Sequence, residues 1–424
     1  MPVLQRRACN NIDALPSQLN SVLRRVYAGR GITNPAELLL DFPSLLPPTL
    51  RGLPEACTEL AEALRKQRKI VIAGDYDADG ATSTALGVST LRALGADVDF
   101  VVPDRFRMGY GLSPELVQEA IKAGAQVLVT VDCGIASHAG VATARGKELK
   151  VIITDHHLPG PTLPDAHAIV NPNCVGEAFP SKNLAGVGVM FYLFTALRAY
   201  LRTQGWFSSR AEPNLAEGLD LVALGTVADV VRLDHNSRIL VAQGLRRIRA
   251  GRARPGINAL LQAAGRTLET VSAADLGFAA GPRLNAAGRL TDMRFGIQCL
   301  LAATDEEAQP LAQELDRLNR ERRDLQGVME EGALDLVAAN SAVGMCLFDP
   351  AWHEGVVGPV ASRIKEKLHR PVIAFARAPR PARARRAGCS GRLASWLDRA
   401  LWRSCHGCGP KPARVRPGTF FGRL

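Results

Sequence analysis

The sequence predicts an α/β protein with a parallel, doubly wound sheet domain, a long helical connector and an incomplete second α/β domain. Helix-length segments separate four short apolar, β-rich runs, at 69–74, 97–103, 125–131 and 150–155, and this alternation predicts the sheet. The highly charged segment 305–339 has a helical pattern and predicts the connector. A further apolar run at 343–349 begins the second α/β domain.

The 424 residues have room for two or three domains. Prolines such as those in "DFPSLLPPTLRGLP" break the beginning of the chain into short helices. The predicted segments are an N-terminal helical segment (1–60), the sheet domain (61–235), the helical connector (236–340), the partial second domain (341–378) and a basic tail (379–424).

The basic tail contains nearly all of the net charge of +11. It has ten Arg and one Lys against one Asp, so the rest of the chain is close to neutral and the total charge says little about nucleic acid. The tail is explained either by a disordered basic segment or by a shifted reading frame. We favour the shifted frame, which truncates the chain, because the second α/β domain stops after two strands.

Cysteine usage and the apolar runs favour a cytoplasmic protein. Nine cysteines without disulfide spacing suit a reducing compartment, and the first residues lack the apolar core of a signal peptide. The longest apolar run, 186–197, is too short to cross a bilayer and is expected to form a buried helix. We therefore expect no association with a membrane.

Acidic and histidine side chains follow the apolar runs at the point where each run ends. Because the carboxyl ends of parallel strands meet at one edge of a sheet, we expect these side chains to converge there. They are Asp75, Asp77 and Asp79 after the first run, Asp132 after the third, Asp155, His156 and His157 after the fourth, and Asp229 after a later apolar run.

So many carboxylates at one edge require cations, because like charges at that distance disfavour ionisation. Carboxylates with imidazole suit divalent ions and favour Mn²⁺ over Mg²⁺, and this set is large enough for two ions that share one Asp. Hydrolysis of a phosphoester is the usual reaction of such a pair. Each motif alone is compatible with a structural turn or helix cap, but their succession at strand ends favours the metal site.

The motifs "DYDADG", "VDCGI", "TDHHLPG" and "GTVADVVRL" resemble those of the DHH phosphoesterase family. The resemblance continues in "NPNCVGEAFPSKNLAGVGVMFYL", "GPRLNAAGRL" and "WHEGVVGPVASRIKEKLHRPVIAFA" and covers about residues 20 to 378. These additional motifs are similar to those of the bacterial branch that degrades single-stranded DNA 5′→3′ to mononucleotides in DNA repair and recombination. The resemblance implies a DHH sheet domain, two Mn²⁺ or Mg²⁺ ions and a partial DHHA1-like second domain.

The same resemblance implies which residues hold the two ions. Asp77 would bind one ion, Asp79 would bind the other, and Asp132 would bridge them. His156 and Asp229 would complete the second site.

Other residues would contact the substrate or support the cluster. His157 would face the scissile phosphate, and Asp75 would support the first metal. Within "PDRFRMGYGL", Arg105 would bind the 5′-phosphate of the DNA and Tyr110 would stack on a base.

Further substrate contacts are implied by the later motifs. "GPRLNAAGRL" supplies Arg283, Asn285 and Arg289, whose forked and amide donors suit a phosphate backbone; the alternative is a helix surface with ordinary solvated arginines. The second domain adds His353 and Arg363. The implied partners are single-stranded DNA, a single-strand-binding protein and a helicase.

Parts of the family pattern cannot be read in this sequence. The remainder of the DHHA1 domain and the OB-fold, which binds single strands in this branch, are not recognisable, so we expect weak or no processive activity. Three functions stay open: the single-strand exonuclease, a DHH phosphodiesterase acting on short oligonucleotides or cyclic dinucleotides, and an inactive truncated product. The connector and "GPRLNAAGRL" favour the first over the second.

Overall fold

The computed structural model describes residues 9, 11–337 and 343–377. These residues form two units, divided between Glu321 and Arg322. The basic tail that the sequence analysis interpreted as the product of a shifted frame, 379–424, lies outside the described residues.

Most of the described chain is helical. The α-helices are α1 (Ser21–Gly29), α2 (Leu53–Arg65), α3 (Ala78–Ala93), α4 (Pro114–Lys122), α5 (His138–Arg145), α6 (Gly186–Thr203), α7 (Leu219–Ala228), α8 (His235–Arg249), α9 (Pro255–Ala263), α10 (Ala273–Asp275), α11 (Gly281–Leu290), α12 (Arg294–Leu301), α13 (Asp305–Val337) and α14 (Val357–Leu368). The strands are β1 (Ile70–Ala73), β2 (Val98–Val101), β3 (Val127–Val131), β4 (Lys150–Thr154), β5 (Ala168–Val170), β6 (Met345–Phe348) and β7 (Val372–Phe375). A π-helical turn, Leu276–Ala280, precedes α11.

The first five strands form one parallel sheet in the order β2-β1-β3-β4-β5. Its register sets Ile72 between Phe100 of β2 and Val129 of β3. Four of these strands lie within the predicted runs. The fifth, β5, was not predicted, because three residues are too few to display a strand pattern.

Helices cover both faces of this sheet, which confirms the doubly wound fold. Ile70 and Ile72 point into a large core shared with α2, α3, α6 and α7, whereas Val71 and Ala73 point into a smaller core shared with α4 and α5. Strands that are buried on both faces are continuously apolar, as the sequence of β1 is.

The apolar run 186–197 is confirmed as a buried helix, α6, whose residues 186–194 are all buried. None of the helices among the described residues combines the length and the apolar character needed to cross a membrane. The later apolar run is also a helix, α7, with residues 219–226 buried. A helix buried on all sides has no polar face, so its sequence does not show the helical period.

Helices α8 to α13 occupy the predicted connector. The first turns of α13 are not simply exposed to solvent, because Ala308, Ala312 and Leu315 are buried in the large core of the first unit. In the second unit, β6 and β7 are parallel neighbours, and α14 lies between them in sequence. This βαβ arrangement agrees with the predicted beginning of a second α/β domain.

Candidate metal centre

The first acidic motif lies in the turn between β1 and α3. Asp77 is the N-cap of α3, and its Oδ1 accepts a hydrogen bond from the Gly80 amide at 3.0 Å. A carboxylate is stabilised at a helix N-terminus, so this position favours the charge of Asp77. Gly80 is required by space, since an added Cβ would lie 2.7 Å from the Cβ of Asp75.

Asp79, in the first turn of α3, is buried against the N-terminus of another helix, α6. Its two carboxylate oxygens accept hydrogen bonds from the backbone amides of Gly186, at 2.6 Å, and Val187, at 3.0 Å. Burial, followed by the charge of Asp77, raises the pKa of Asp79 to about 7. The carboxylate is therefore held rigidly in a place where its negative charge is unfavourable without a cation.

Asp132 and His156 form the centre of the cluster. Asp132 follows β3 and has a φ of 59°, in the left-handed region that few non-glycine residues adopt. Its Oδ1 lies 3.0 Å from Nε2 of His156, and both atoms are buried without a hydrogen-bond partner within the described ranges. Buried polar atoms are rarely left unsatisfied in native proteins, so this pair indicates a ligand that the protein binds here.

The protonation of this pair suits a metal ion. Burial lowers the pKa of His156 to about 4, so its imidazole is neutral at pH 7 and can donate a lone pair. Burial, together with the charge of Asp79, raises the pKa of Asp132 well above its usual range. A divalent cation would stabilise the ionised form of this carboxylate.

Asp229 reaches the same place from α7, of which it is the C-cap residue. Its Oδ2 lies 3.6 Å from Nε2 of His156. The prediction that Asp229 follows a strand is wrong, since the apolar run before it is helical. The following residue, Val230, also has a positive φ of 62°, which is strained for a β-branched side chain.

The potential ligand atoms fall into three overlapping groups, each with its atoms within 4.8 Å of one another. Because the donors are carboxylates and imidazoles and the groups share members, the residues present fit two divalent cations at one site. The structure thus brings together all of the residues predicted as metal ligands. The groups are Asp75–Asp77–Asp132, Asp79–His156–Asp229 and Asp132–His156–His157.

Asp155 holds the histidine pair, a role that the sequence analysis did not assign. Its Oδ1 lies 2.8 Å from Nδ1 of His157, and its Oδ2 accepts a hydrogen bond from the Ile135 amide at 2.9 Å. Burial lowers the pKa of His157, but the hydrogen bond and charge of Asp155 outweigh it and raise that pKa to about 9. His157 is therefore a cation at neutral pH beside the carboxylate cluster. The Asp that directly precedes the two histidines was the sequence signal.

A layer of aromatic and cationic side chains lies next to His157. The Tyr110 hydroxyl lies 3.2 Å from Nδ1 of His157, and the Tyr110 and Tyr76 rings pack edge to face with centroids 6.1 Å apart. The Arg105 guanidinium lies over the Tyr76 ring, 4.1 Å from its centroid. Arg105 and Tyr110 are thus close to the site, as predicted. Tyr76 was missed, although an aromatic residue inside an acidic motif is itself a signal.

The residues of "GPRLNAAGRL" occupy α11 and differ in their surroundings. Arg283 is 8 % exposed and pairs with Asp316 at 2.6 Å, so its guanidinium is engaged inside the protein. The Asn285 Oδ1 accepts a hydrogen bond from the Ala78 amide at 2.8 Å, which ties α11 to the start of α3. Arg289 is partly exposed in the last turn of α11.

The remaining two predicted residues belong to the second unit. His353 accepts a hydrogen bond at Nδ1 from the Gly355 amide at 3.1 Å. Arg363 lies on the exposed side of α14, 3.3 Å from Glu366. These contacts are local to that unit and assign no ligand to either residue.

The fold and this cluster correspond to a known class of proteins. Residues 69–226 match the DHH family, N-terminal domain. The single-stranded-DNA-specific exonuclease RecJ of Salmonella typhimurium is 55% identical over 383 residues, which are 88% of this chain and 66% of that protein. The chain therefore spans slightly less than two thirds of the length of this curated relative.

Solved structures give the same assignment. A crystal structure of exonuclease RecJ bound to manganese is 40% identical, with a TM-score of 0.69 over 80% of this chain and 85% of that one. RecJ of Thermus thermophilus in complex with Mn²⁺ is 37% identical, with a TM-score of 0.73 over 87% of this chain and 52% of that one. The chain belongs to the DHH family, in its RecJ branch.

Proposed function

We propose that this protein is a two-metal phosphodiesterase that degrades single-stranded DNA 5′→3′ to mononucleotides in repair and recombination. The observation that carries the proposal is the buried contact between Asp132 Oδ1 and His156 Nε2, two atoms without a hydrogen-bond partner in the described part of the chain, at the centre of the carboxylate cluster. Relatives described as single-stranded-DNA-specific exonucleases, and related structures with Mn²⁺ or Mg²⁺, support it.

The ligand groups define how the protein would hold the two ions. Asp75 and Asp77 would hold one ion, and Asp132 would be shared with the other. Asp79, His156 and Asp229 would hold that second ion. When bound, the ions would supply charge stabilisation to the phosphate and lower the pKa of the attacking water. The backbone amides that bind Asp79 keep this carboxylate oriented before the substrate arrives.

His157 would act on the phosphate through its positive charge. The Asp155 carboxylate holds the Nδ1 proton, which fixes the ring and leaves the charged imidazolium beside the ligand cluster. A cation placed where negative charge develops stabilises the transition state of phosphoryl transfer. Neutralising His157 would therefore lower the rate of cleavage more than the affinity for DNA.

The end of the DNA would be recognised by the layer next to His157. Arg105 would bind the 5′-phosphate, while Tyr76 and Tyr110 would offer aromatic surface to the terminal bases. Arg289 would add a backbone phosphate contact. Arg283 is left out of this set because its guanidinium already pairs with Asp316 inside the protein.

The protein partners of this enzyme would be those that supply single-stranded DNA. Stacking requires unpaired bases, so we propose that a helicase opens the duplex and that single-strand-binding protein presents the product. We place the protein in the cytoplasm, where DNA is accessible and where the six described free cysteines stay reduced.

The test is digestion of three substrates by the purified full chain with Mn²⁺: 5′-phosphorylated single-stranded DNA, the same DNA as a duplex, and dinucleotides. We expect mononucleotides from the long single strand, released from its 5′ end. Asp132→Asn, which keeps the size of the side chain and removes its charge, should abolish the reaction.

Each other result identifies a different function. Cleavage of dinucleotides alone would indicate a DHH phosphodiesterase for short oligonucleotides or cyclic dinucleotides. Binding of Mn²⁺ without cleavage of any substrate would indicate an inactive product. Cleavage that persists in Asp132→Asn would contradict the assignment of the site itself.

A further inference from the structure

The backbone of the two histidines at the metal centre is hydrogen-bonded at all four of its polar groups. Both amides are bound by a single carboxylate oxygen, Oδ1 of Asp155, at 2.7 Å for His156 and 3.0 Å for His157. The amides are thus held by the residue that precedes them. The two carbonyls are held by a different part of the chain.

Two asparagines bind these carbonyls. The Asn173 Nδ2 donates to the carbonyl oxygen of His156 at 2.6 Å, and the Asn171 Nδ2 donates to that of His157 at 2.9 Å. The Asn171 Oδ1 in turn accepts a hydrogen bond from the Asn173 amide at 2.8 Å. We refer to Asn171 and Asn173 as the Asn clamp.

The Asn clamp is fixed to the sheet. It directly follows β5, and the Asp155 amide donates to the carbonyl of Val170, the last residue of that strand, at 3.1 Å. Asn171 is 1 % exposed, whereas Asn173 is partly exposed. Both asparagines lie in the motif "NPNCVGEAF", which has no part in the proposed reaction.

The two bonds differ in what they contribute. Because Asn171 is buried, removing its amide would leave buried polar groups unpaired and would cost stability. Asn173 is partly exposed, so we expect water to replace the bond that the His156 carbonyl loses and the stability of the fold to need this amide much less. Water would not fix the orientation of the His156 backbone. That orientation determines the position of Nε2 of His156, which lies 3.0 Å from Oδ1 of Asp132.

We propose that the Asn clamp is a positioning device for the metal centre: Asn173 fixes the His156 ligand, and Asn171 fixes His157, through their backbone carbonyls. This inference rests on the proposed two-metal function. Loss of a residue that hydrogen-bonds to a metal ligand is expected to weaken metal binding by about 10- to 100-fold. We expect the lower value for Asn173, because water replaces part of its role.

The test compares Asn173→Ala with Asn258→Ala in the full chain. Asn258 lies in α9 and is also partly exposed. Its Nδ2 donates to the backbone carbonyl of Ala253 at 3.4 Å. The readouts are the Mn²⁺ dissociation constant by titration calorimetry and the melting temperature in chelator. Steady-state cleavage of single-stranded DNA adds kcat and KM.

For Asn173→Ala we expect roughly tenfold weaker Mn²⁺ binding and a kcat lowered by a similar factor at unchanged KM. Its melting temperature without metal should match that of Asn258→Ala, which should bind Mn²⁺ like the wild type. Asn173→Gln, which keeps the amide, should recover part of the affinity.

Three results would overturn the inference. Wild-type Mn²⁺ affinity in Asn173→Ala would show that the ligand needs no such restraint and would leave the proposed function intact. Loss of the fold in Asn173→Ala, but not in Asn258→Ala, would show that Asn173 maintains the fold. Absence of Mn²⁺ binding by the wild-type chain would overturn the proposed function together with this inference.

Discussion

Substitution of Gly186 by alanine should disable the metal centre although it removes none of the predicted ligand side chains. The added Cβ would lie 2.7 Å from the Cβ and 2.8 Å from Oδ1 of Asp132. Carbon atoms in contact are about 3.5–4.0 Å apart, so Asp132 and the start of α6 must separate by about 1 Å. The same helix end binds Asp79, so two ligands are displaced by one methyl group.

This displacement sets the expected losses of stability and of cleavage rate. Overpacking of a buried site costs about 1–3 kcal/mol of the free energy of unfolding, which lowers the melting temperature by only a few degrees. A displacement of about 1 Å at a reacting centre costs about 100-fold in rate. We therefore expect Gly186→Ala to remain folded, to bind Mn²⁺ more weakly and to cleave single-stranded DNA about 100-fold more slowly.

The matched control is Gly188→Ala, two residues further along α6. There the added Cβ would meet the Cδ2 of Leu184 at 3.1 Å, the movable end of a flexible side chain. This variant should retain activity, and alanine also favours the helix by about 0.5–1 kcal/mol. Calorimetry and a single-strand digestion assay measure the two effects. Wild-type Mn²⁺ affinity and cleavage in Gly186→Ala would show that the added methyl group does not displace Asp132 or Asp79.

Three further results are expected. Arg283→Met should lower the free energy of unfolding by about 1–3 kcal/mol in a denaturant titration, because it removes one of the two arginines that pair with the buried Asp316 and leaves only Arg320; an effect on DNA affinity alone would instead make Arg283 a substrate ligand. Asn285→Ala should lower the free energy of unfolding by about 0.5–2 kcal/mol, because it removes the acceptor of the Ala78 amide. Asn285→Asp keeps an acceptor and should lower it less. Equal losses in the two variants would rule out this cap. Metal-free protein should lose stability as the pH rises from about 4 to 7, because folding raises the pKa of Asp79 to about 7 and that of Asp132 well above its usual range. The pKa of His156, which burial lowers to about 4, opposes one of these two contributions below about pH 6.5, so the net loss is on the order of 1.4 kcal/mol per pH unit. Thermal melts in chelator at several pH values would show this slope, and a flat profile would contradict it.

The sequence alone was sufficient for the class of fold and for bringing the predicted metal ligands to one place. Parallel strands buried on both faces are continuously apolar, and their carboxyl ends meet at one edge whatever the details of packing. Acidic residues placed after such runs, as Asp77 and Asp132 are, therefore converge by topology. Asp229 lies in the same cluster although it follows a helix.

Other roles were decided by tertiary packing. Arg283 and Asn285 look like phosphate ligands in sequence, yet one pairs with a buried Asp and the other caps a helix. Likewise, nothing in the sequence shows that Asn173 reaches the carbonyl of His156.

The fold class could be predicted and the polar pairings could not, because the interactions involved act over different separations along the chain. The apolar runs and the helices between them are local features of the sequence, so the sequence was enough to predict a parallel sheet and the edge at which the carboxylates meet. Which donor meets which acceptor depends on distances of a few tenths of an ångström between segments remote in sequence. Only the folded chain decided those pairings, and they separate the polar residues engaged inside the protein from those that surround the carboxylate cluster.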